Sequence, residues 1–260
     1  AGPINEVRVA MQRVQEGDLD TTVSVSDASE TGVLQAGFNA MASGLRERES
    51  LRDLFGRHVG REVARRALRE ASETSGPVMG GEEREVAVLF VDVVGSTTLA
   101  AELPPREVVE VLNEFFADVV DVVETAGGLI NKFEGDAALV VFGAPLHDPD
   151  AAEHALTAAR ELHRRLSTGR PLRAGIGVAA GTAIAGNIGE PRRYEYTVIG
   201  DPVNEAARLC ERAKDIGGVA ASEATLRRAG GEEAQRWRIT HTETLRGRDT
   251  PTDVAVPRSD

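Results

Sequence analysis

The chain of 260 residues is 41% hydrophobic and 28% charged, which suits a globular protein with one large domain or two smaller ones. Its net charge of −12 and its aromatic content of 4% argue against a nucleic-acid-binding surface, which needs basic and stacking side chains. The lone cysteine, Cys210, allows no intrachain disulfide and favours a reducing compartment, and no apolar run approaches the roughly 18 residues of a membrane span.

The first 50 residues predict two short amphipathic helices joined by an extended connector. Apolar residues recur every three or four positions in two series, which are Ile4, Val7, Met11 and Val14, then Leu34, Phe38, Met41 and Leu45. Gly17 ends the first helix, and the β-branched residues after it suit an extended connector through Val23. Because helices this short are not stable alone in water, they must pack against partners.

This arrangement resembles a HAMP domain, a parallel four-helix module formed by two chains. Pro3 and Glu30-Thr31-Gly32 match landmarks of that family, whereas Ser29 stands where an acidic residue is more usual. A generic helical hairpin is the alternative. The helical repeat begins at the first residues with no capping sequence before it, so we expect a fragment of a longer protein. The resemblance implies a parent anchored in a membrane N-terminal to residue 1, with this chain as its cytoplasmic portion.

Residues 51–80 are predicted to connect the helical module of residues 1–50 to a catalytic domain of residues 81–260. The connector begins as an amphipathic helix rich in Arg and Glu. Ser75-Gly76-Pro77 and Gly80-Gly81 then break the chain, as is typical of a linker.

The pattern from residue 84 onward predicts an α+β domain. The predicted segments are a buried strand at 86–91, a helix at 105–124, a hairpin of 129–133 with 137–142, a helix at 151–166, a hairpin of 172–180 with 183–188, a strand at 196–199 and a helix at 201–214. The second hairpin is expected to turn around Gly181, and Asp201 is expected to cap the last helix. This order suggests a sheet with helices packed on one face.

Two acidic residues stand where a metal site could form. Asp92 ends the buried strand, where a carboxylate is costly unless it is paired or bound to metal, and Asp136 lies at the tip of the first hairpin. Singly, each has an ordinary interpretation as a strand-end or turn residue. Together, on neighbouring strands, they could hold two divalent cations about 3.5–4 Å apart. A haloacid-dehalogenase-type phosphatase would need a second aspartate where Val94 stands, which excludes that rival.

Five motifs in order resemble the class III nucleotidyl cyclase catalytic domain over about residues 84–258. They are Phe90 to Thr97, Asn131 to Asp136, Arg173 to Gly177, Gly200 to Asn204, and Ala207 to Leu209. The resemblance implies a ferredoxin-like or palm-type sheet with helices. It also implies that two divalent cations, Mg²⁺ or Mn²⁺, are bound by Asp92, by Asp136 and by the Val93 carbonyl.

The resemblance assigns phosphate contacts to Arg173 and to Arg246, which stands where the family often has a lysine. The free N–H groups of a helix that begins at Gly95-Ser96-Thr97 could hold further phosphate oxygens. Asn204 and Arg208 resemble the residues that orient the ribose and stabilise the transition state. Four positions apart on a helix, they project from one face.

Lys132 and Asp201 are similar to the pair that reads adenine, whereas a guanylyl cyclase typically shows Glu and Cys at these positions. The chemistry agrees, because a lysine can donate to N1 of adenine and an aspartate can accept from its exocyclic amine. In this family the metal aspartates and Arg173 come from one chain. The residues that come from its partner are Lys132, Asp201, Asn204, Arg208 and Arg246, which implies a homodimer with two equivalent sites.

The sequence therefore predicts an adenylate cyclase that converts ATP to 3′,5′-cyclic AMP and pyrophosphate, regulated in signal transduction through a HAMP domain. Two alternatives stay open. A diguanylate cyclase would need a Gly-Gly-Asp/Glu-Glu-Phe hairpin, but the hairpin here reads Phe133-Glu134-Gly135-Asp136. A degenerate cyclase would bind nucleotide or transmit a dimer signal without catalysis.

Overall fold

The computed structural model describes residues 2–25, 29–60, 63, 79–168 and 172–258. The chain divides into two compact units, residues 1–64 and 65–260. Most of the connector predicted between them, including Ser75-Gly76-Pro77, lies outside the described residues.

The N-terminal unit consists of two helices, α1 (Pro3–Gln15) and α2 (Glu30–Val59). The first helix ends just before Gly17, whose φ of 96° only glycine adopts readily, so the predicted stop is confirmed. The second helix is continuous for 30 residues and runs through residue 51, where the connector was predicted to begin. Among the described residues of this unit, no helix is long and apolar enough to cross a membrane, and the same holds for the second unit.

The small core of this unit lies between α1 and α2, and Asn39 of α2 holds the extended segment that follows α1. Its buried residues are Val7, Ala10, Phe38 and Ala42. The Val23 N–H donates to Asn39 Oδ1 at 2.9 Å, and Asn39 Nδ2 donates back to the Val23 carbonyl at 2.8 Å. This side chain thus satisfies both backbone groups of an extended residue, as a neighbouring strand would.

Five of the eight residues of the predicted apolar seam stay exposed within one chain. The exposed members are Ile4 at 69%, Met11 at 48%, Leu34 at 49%, Met41 at 44% and Leu45 at 37%. A unit of two helices cannot bury more than part of an apolar stripe around each of them. The exposed remainder is apolar surface that the isolated chain leaves in water.

The second unit is an α+β domain. In chain order its elements are β1 (Gly80–Val93), α3 (Ser96–Glu102), α4 (Pro105–Thr125), β2 (Leu129–Glu134), β3 (Ala137–Phe142), α5 (Ala151–Ser167), β4 (Ala174–Glu190), β5 (Arg193–Ile199), α6 (Asp201–Ile216), β6 (Val219–Ser222), α7 (Glu223–Ala229), α8 (Gly231–Gln235), β7 (Trp237–Glu243) and β8 (Thr252–Pro257). The described strands form one eight-stranded sheet in the order β2-β3-β1-β4-β6-β8-β7, with β5 paired to β4.

The predicted hairpin around Gly181 is wrong, because β4 is a single strand of 17 residues. Gly181 pairs with Val86 in the middle of the β1–β4 ladder. A Cβ at residue 181 would lie 3.0 Å from Pro202 Cγ, so this glycine serves close packing against α6 rather than a turn. The chain turns only after Glu190, and β5 returns beside β4.

Helices cover both faces of the sheet, which corrects the expectation of one covered face. Leu89 and Ile176 belong to a core that also contains residues of α4 and α5. Residues 175 and 177 point to the opposite face, because successive side chains of a strand alternate, and α6 packs there.

Two smaller expectations also change. Gly80-Gly81 belong to β1, where they pair with Asn187 and Gly186 of β4, so they do not break the chain before the domain. The residue before α6 is Gly200, and Asp201 is the first helical residue instead of the cap.

Candidate active site

Asp92 and Asp136 meet at one end of the central strands. The strand β1 lies between β3 and β4, and Asp92 is opposite Ala137, the residue that follows Asp136. The Val93 N–H donates to the Asp136 carbonyl oxygen at 3.4 Å. Gly135, with φ at 67°, makes the tight turn that returns the chain at this place. The predicted pairing of a strand-end aspartate with a hairpin-tip aspartate is therefore present in the fold.

The Val93 carbonyl faces the same side as Asp136. In an extended strand the N–H and C=O of one residue point to the same neighbour. Because the Val93 N–H reaches Asp136, its carbonyl is directed to the hairpin and away from β4. The Val93 carbonyl therefore points to the hairpin that carries Asp136.

A lysine that the sequence reasoning missed binds the first carboxylate. Lys214, in the last turn of α6, places its Nζ 2.6 Å from Asp92 Oδ2. The two side chains are 27% and 28% exposed, so water screens the ion pair only in part. The residues are 122 positions apart, and nothing in the local pattern around residue 214 indicates the contact.

The carboxylate pair carries more negative charge than Lys214 balances. Burial raises the pKa of Asp92, and the nearby Asp136 carboxylate raises it further, against the opposing effect of Lys214. Burial alone would lower the pKa of Lys214, but the hydrogen bond and charge of Asp92 outweigh it and raise that pKa. The site therefore still favours additional positive charge.

Gly175 makes the lysine contact possible. It is directly opposite Asp92 in the β1–β4 ladder. A Cβ at residue 175 would lie 2.6 Å from Lys214 Cγ and 2.5 Å from the Cys210 carbonyl oxygen. The lysine stem therefore runs over β4, on the face covered by α6, through the space that a side chain at residue 175 would fill.

Of the predicted phosphate-binding residues, Arg173 and the segment Gly95-Ser96-Thr97 lie at this end of the sheet. The Val94 N–H donates to the Arg173 carbonyl at 2.8 Å. Arg173 immediately precedes the first residue of β4, and its side chain is exposed. Gly95, with φ at 79°, precedes α3, whose first two residues are Ser96 and Thr97.

The residues predicted to act on ribose and phosphate lie on α6 and point elsewhere. Asn204 is exposed, and Arg208 forms an ion pair with Glu211 at 2.8 Å. At about 100° per residue, Asn204 and Arg208 share one face, while Lys214 is rotated from them by roughly 80–120°. The face that touches Asp92 is therefore not the face that carries Asn204 and Arg208.

Asp201 lies at the far end of the same helix. Gly181 packs against Pro202 and is six strand residues from Gly175, which corresponds to about 20 Å. The helix gives the same value, because the 13 residues from Asp201 to Lys214 rise about 20 Å. A single chain thus does not bring Asp201 to its own Asp92.

The two predicted purine residues are each paired within the chain. Lys132 Nζ lies 2.6 Å from Glu195 Oε1 on β5. Arg248 Nη1 donates to Asp201 Oδ1 at 2.6 Å, and its other terminal nitrogen lies 3.5 Å from Glu205. These ion pairs must open, or share their groups, before either side chain can bind a base.

The structure adds Arg248 to the predicted set and separates it from Arg246. Arg246 is exposed in the turn after β7, whereas the Arg248 side chain is 14% exposed and turned towards Asp201. A cavity of about 320 Å³ adjoins Asp201 and Arg248 and also involves Arg227 and Arg228. Its arginines are neutralised by Asp201, Glu223 and Glu85, and it lies at the end of α6 that is remote from Asp92.

Family models match both units of the chain. The adenylate and guanylate cyclase catalytic domain matches residues 79–254, and the HAMP domain matches residues 1–47. The chain belongs to the class III nucleotidyl cyclases. It is a cyclase catalytic domain preceded by a HAMP domain, as the sequence resemblance implied.

Solved cyclase structures agree with this fold. The guanylyl cyclase Cya2 is 34% identical with a TM-score of 0.57, and the match covers 68% of this chain and 93% of that one. The adenylyl cyclase CyaB from P. aeruginosa is 23% identical with a TM-score of 0.63, over 70% of this chain and 97% of that one. The second likeness concerns the fold alone.

Full-length relatives extend well beyond this chain. The uncharacterized protein Rv1318c of Mycobacterium tuberculosis is 55% identical over 259 residues, which are 99% of this chain and 47% of that protein. Rv1320c of the same organism is 54% identical over 99% of this chain and 45% of its own length. The cyclase chain therefore spans about half the length of the curated relatives it matches.

The chemistry of the donor set fits divalent cations in this cyclase. Carboxylate and carbonyl oxygens are the ligands that Mg²⁺ and Mn²⁺ prefer, and Asp92, Asp136 and Val93 supply them at one place. A stand-in cation, the Lys214 ammonium, already contacts one of these carboxylates. Within the described residues no group of three or more His, Cys, Asp or Glu side chains converges, so two carboxylates are what the side chains offer.

Proposed function

We propose that this cyclase is an adenylate cyclase, which converts ATP to 3′,5′-cyclic AMP and pyrophosphate at the interface of a homodimer. The observation that carries the proposal is the meeting of Asp92 and Asp136 at the ends of adjacent strands, beside the Val93 carbonyl. Two divalent cations held there would activate the ribose 3′-hydroxyl and neutralise charge on the triphosphate.

The surrounding groups would position the phosphates. Arg173 is exposed at the same end of the sheet and can approach a phosphate oxygen. The N–H groups after Gly95, at the start of α3, would hold further oxygens together with Ser96 and Thr97. Arg246 would contact the terminal phosphates from an exposed turn.

A second chain would complete each site. Within one chain, Asn204 and Arg208 lie on a face of α6 that does not contact Asp92, and Asp201 lies about 20 Å away along that helix. The same helix from a partner can approach the metal pair from outside, so that Asn204 orients the ribose. Arg208 would place its planar guanidinium on the α-phosphate as negative charge develops there.

The choice of ATP rests on Lys132 and Asp201. Lysine would donate to N1 of adenine, and aspartate would accept from the exocyclic amine. A guanylate cyclase is the competing function, because the guanylyl cyclase Cya2 is 34% identical to this chain. The two residues proposed to face the purine favour adenine. They count for more than the overall sequence identity, because base recognition depends on the groups that touch the base edge.

The HAMP domain would control the catalytic dimer. Its two helices leave five of the eight residues of the predicted apolar seam exposed, which a second HAMP domain would cover in a parallel four-helix module. We further propose that the parent protein is anchored in a membrane N-terminal to residue 1, and that this portion lies in the cytoplasm and transmits a signal to the cyclase.

A substrate comparison tests this function. The purified chain is incubated with Mn²⁺ and either ATP or GTP, and each cyclic nucleotide is quantified. ATP should be the preferred substrate, and the double variant Lys132→Glu with Asp201→Cys should shift the preference to GTP or lose it. The Asp92→Ala variant measures the background. Preference for GTP in the unaltered chain, or an unchanged ATP preference in the double variant, would refute the adenine assignment.

A further inference from the structure

Lys214 has a position that the five cyclase motifs do not explain. It lies in α6 beyond the last of them, yet its ammonium makes the direct contact to Asp92 at 2.6 Å. A cation near the C-terminus of a helix is common because it interacts favourably with the helix dipole. That explanation accounts for a lysine in the last turn but not for a side chain that extends over β4 to reach the carboxylate on β1.

The choice of a lysine is itself informative. Of the 30 Lys and Arg residues of this chain, only Lys132 and Lys214 are lysines, and both belong to the active-site region. An ammonium is a compact point charge on a flexible stem, whereas a guanidinium is a broad planar fork. The stem that carries this ammonium runs over Gly175, where even one added Cβ would lie 2.6 Å from Lys214 Cγ.

The packing around the lysine is built for this contact. Gly175 is opposite Asp92 in the ladder, and Cys210, one turn before Lys214, donates its Sγ–H to the Gly175 carbonyl at 3.1 Å. The helix is therefore held against the strand one turn before the lysine stem.

We propose that Lys214 is a resident counter-cation of the metal site, which holds Asp92 in position before metal arrives and competes with the metal for that carboxylate. The inference rests on the proposed metal-binding role of Asp92 and Asp136. Lys214 is accordingly a positioning residue, and its ammonium must leave Asp92 when a divalent cation binds. It weakens metal affinity and so keeps the site from filling until a nucleotide supplies phosphate ligands as well.

Metal binding without nucleotide gives the first test. Binding of Mn²⁺ is measured through the electron paramagnetic resonance signal of the free ion. We expect Lys214→Met, which keeps the stem and removes the charge, to bind Mn²⁺ about tenfold more tightly. Lys214→Arg should not gain affinity. The matched control is Arg212→Met, because Arg212 lies on the same helix and pairs with Glu243 and Asp215 instead of Asp92.

A second measurement follows the Lys214 side chain itself. Reductive methylation with ¹³C labels the N-terminal amine and the lysines, and only Lys132 and Lys214 give lysine signals because the chain has no other lysine. Stepwise addition of Mg²⁺ should shift the Lys214 signal and leave the Lys132 signal in place. Asp92→Asn should abolish the shift. The Lys132 signal is the internal control for general effects of salt.

The outcomes separate this inference from the proposed function. If Asp92→Asn abolishes metal binding while Lys214→Met binds no more tightly than the unaltered chain, the inference is overturned and the metal site stands. An unmoved Lys214 signal at saturating Mg²⁺ has the same meaning. If Asp92→Asn leaves metal binding intact, the metal assignment fails and the inference fails with it. Displacement of Lys214 in a chain that forms no cyclic nucleotide would support the inference and reject the catalytic proposal alone.

Discussion

Replacing Gly175 with alanine should push α6 away from the sheet and disturb the Asp92–Lys214 ion pair. The new Cβ would lie 2.5 Å from the Cys210 carbonyl oxygen, whereas ordinary contact begins near 3.4 Å. The helix backbone must therefore move by about 1 Å, because a close-packed interface offers no free space. Overpacking of this kind lowers the free energy of unfolding by about 1–3 kcal/mol. A 1 Å displacement at an active site can also lower kcat by about 100-fold.

Guanidinium unfolding followed by circular dichroism measures the first effect, and cyclic AMP formation measures the second. The matched control is Gly44→Ala in α2, where a Cβ meets nothing within 4 Å. That variant should keep its activity and gain up to about 1 kcal/mol, since alanine favours a helix. A Gly175→Ala protein with unchanged stability and unchanged activity would show that the glycine is not needed for the close approach of α6.

Three further predictions concern the dimer, an ion pair and the HAMP connector. Mixing Asp92→Ala chains with Arg208→Ala chains should restore about one quarter of the activity, because half of the dimers are mixed and each has one intact site of two; no recovery at any ratio contradicts the shared site. Burial alone would raise the pKa of Glu233, but the hydrogen bonds from Arg160 and Trp237 and the charge of Arg160 lower it below 4.5. Glu233 thus stabilises the fold above the unfolded pKa and loses this effect as pH falls through the lower folded value. Glu233→Gln should cost about 1–3 kcal/mol at pH 7, and thermal melts should show the difference shrinking in acid, whereas a constant difference contradicts the assignment. Asn39→Leu leaves both backbone groups of Val23 without the amide, so hydrogen exchange at the Val23 N–H should become faster, and unchanged exchange would exclude the clamp.

The elements of the catalytic unit were largely predictable where their signals are local. Residues 129–142 form the predicted hairpin, and the predicted helices at 105–124 and 151–166 are present within one residue at their ends. Apolar periodicity identifies such segments because each one carries its own buried face. The place of Asp92 at a strand end and of Asp136 in a two-strand turn follows from these same local patterns.

Gly181 illustrates where the local pattern fails. A glycine inside an apolar run indicates either a turn or a close approach by another part of the chain. Here the approach is by Pro202, 21 residues further along the chain, so β4 continues without a turn. The choice between the two interpretations depends on where α6 packs, which the strand itself does not encode.

The sequence by itself determined the family, the order of elements and the two carboxylates, because motifs and periodicity lie within short stretches of chain. Only the tertiary structure decided that α6 packs over Gly175 on the second face of the sheet, and that Lys214 thereby reaches a carboxylate 122 residues away. It also decided that Arg248, and not Arg246, pairs with Asp201. Side chains far apart in the sequence make contact only if the helix that carries one of them is placed to within about an ångström. That placement results from the packing of the whole domain.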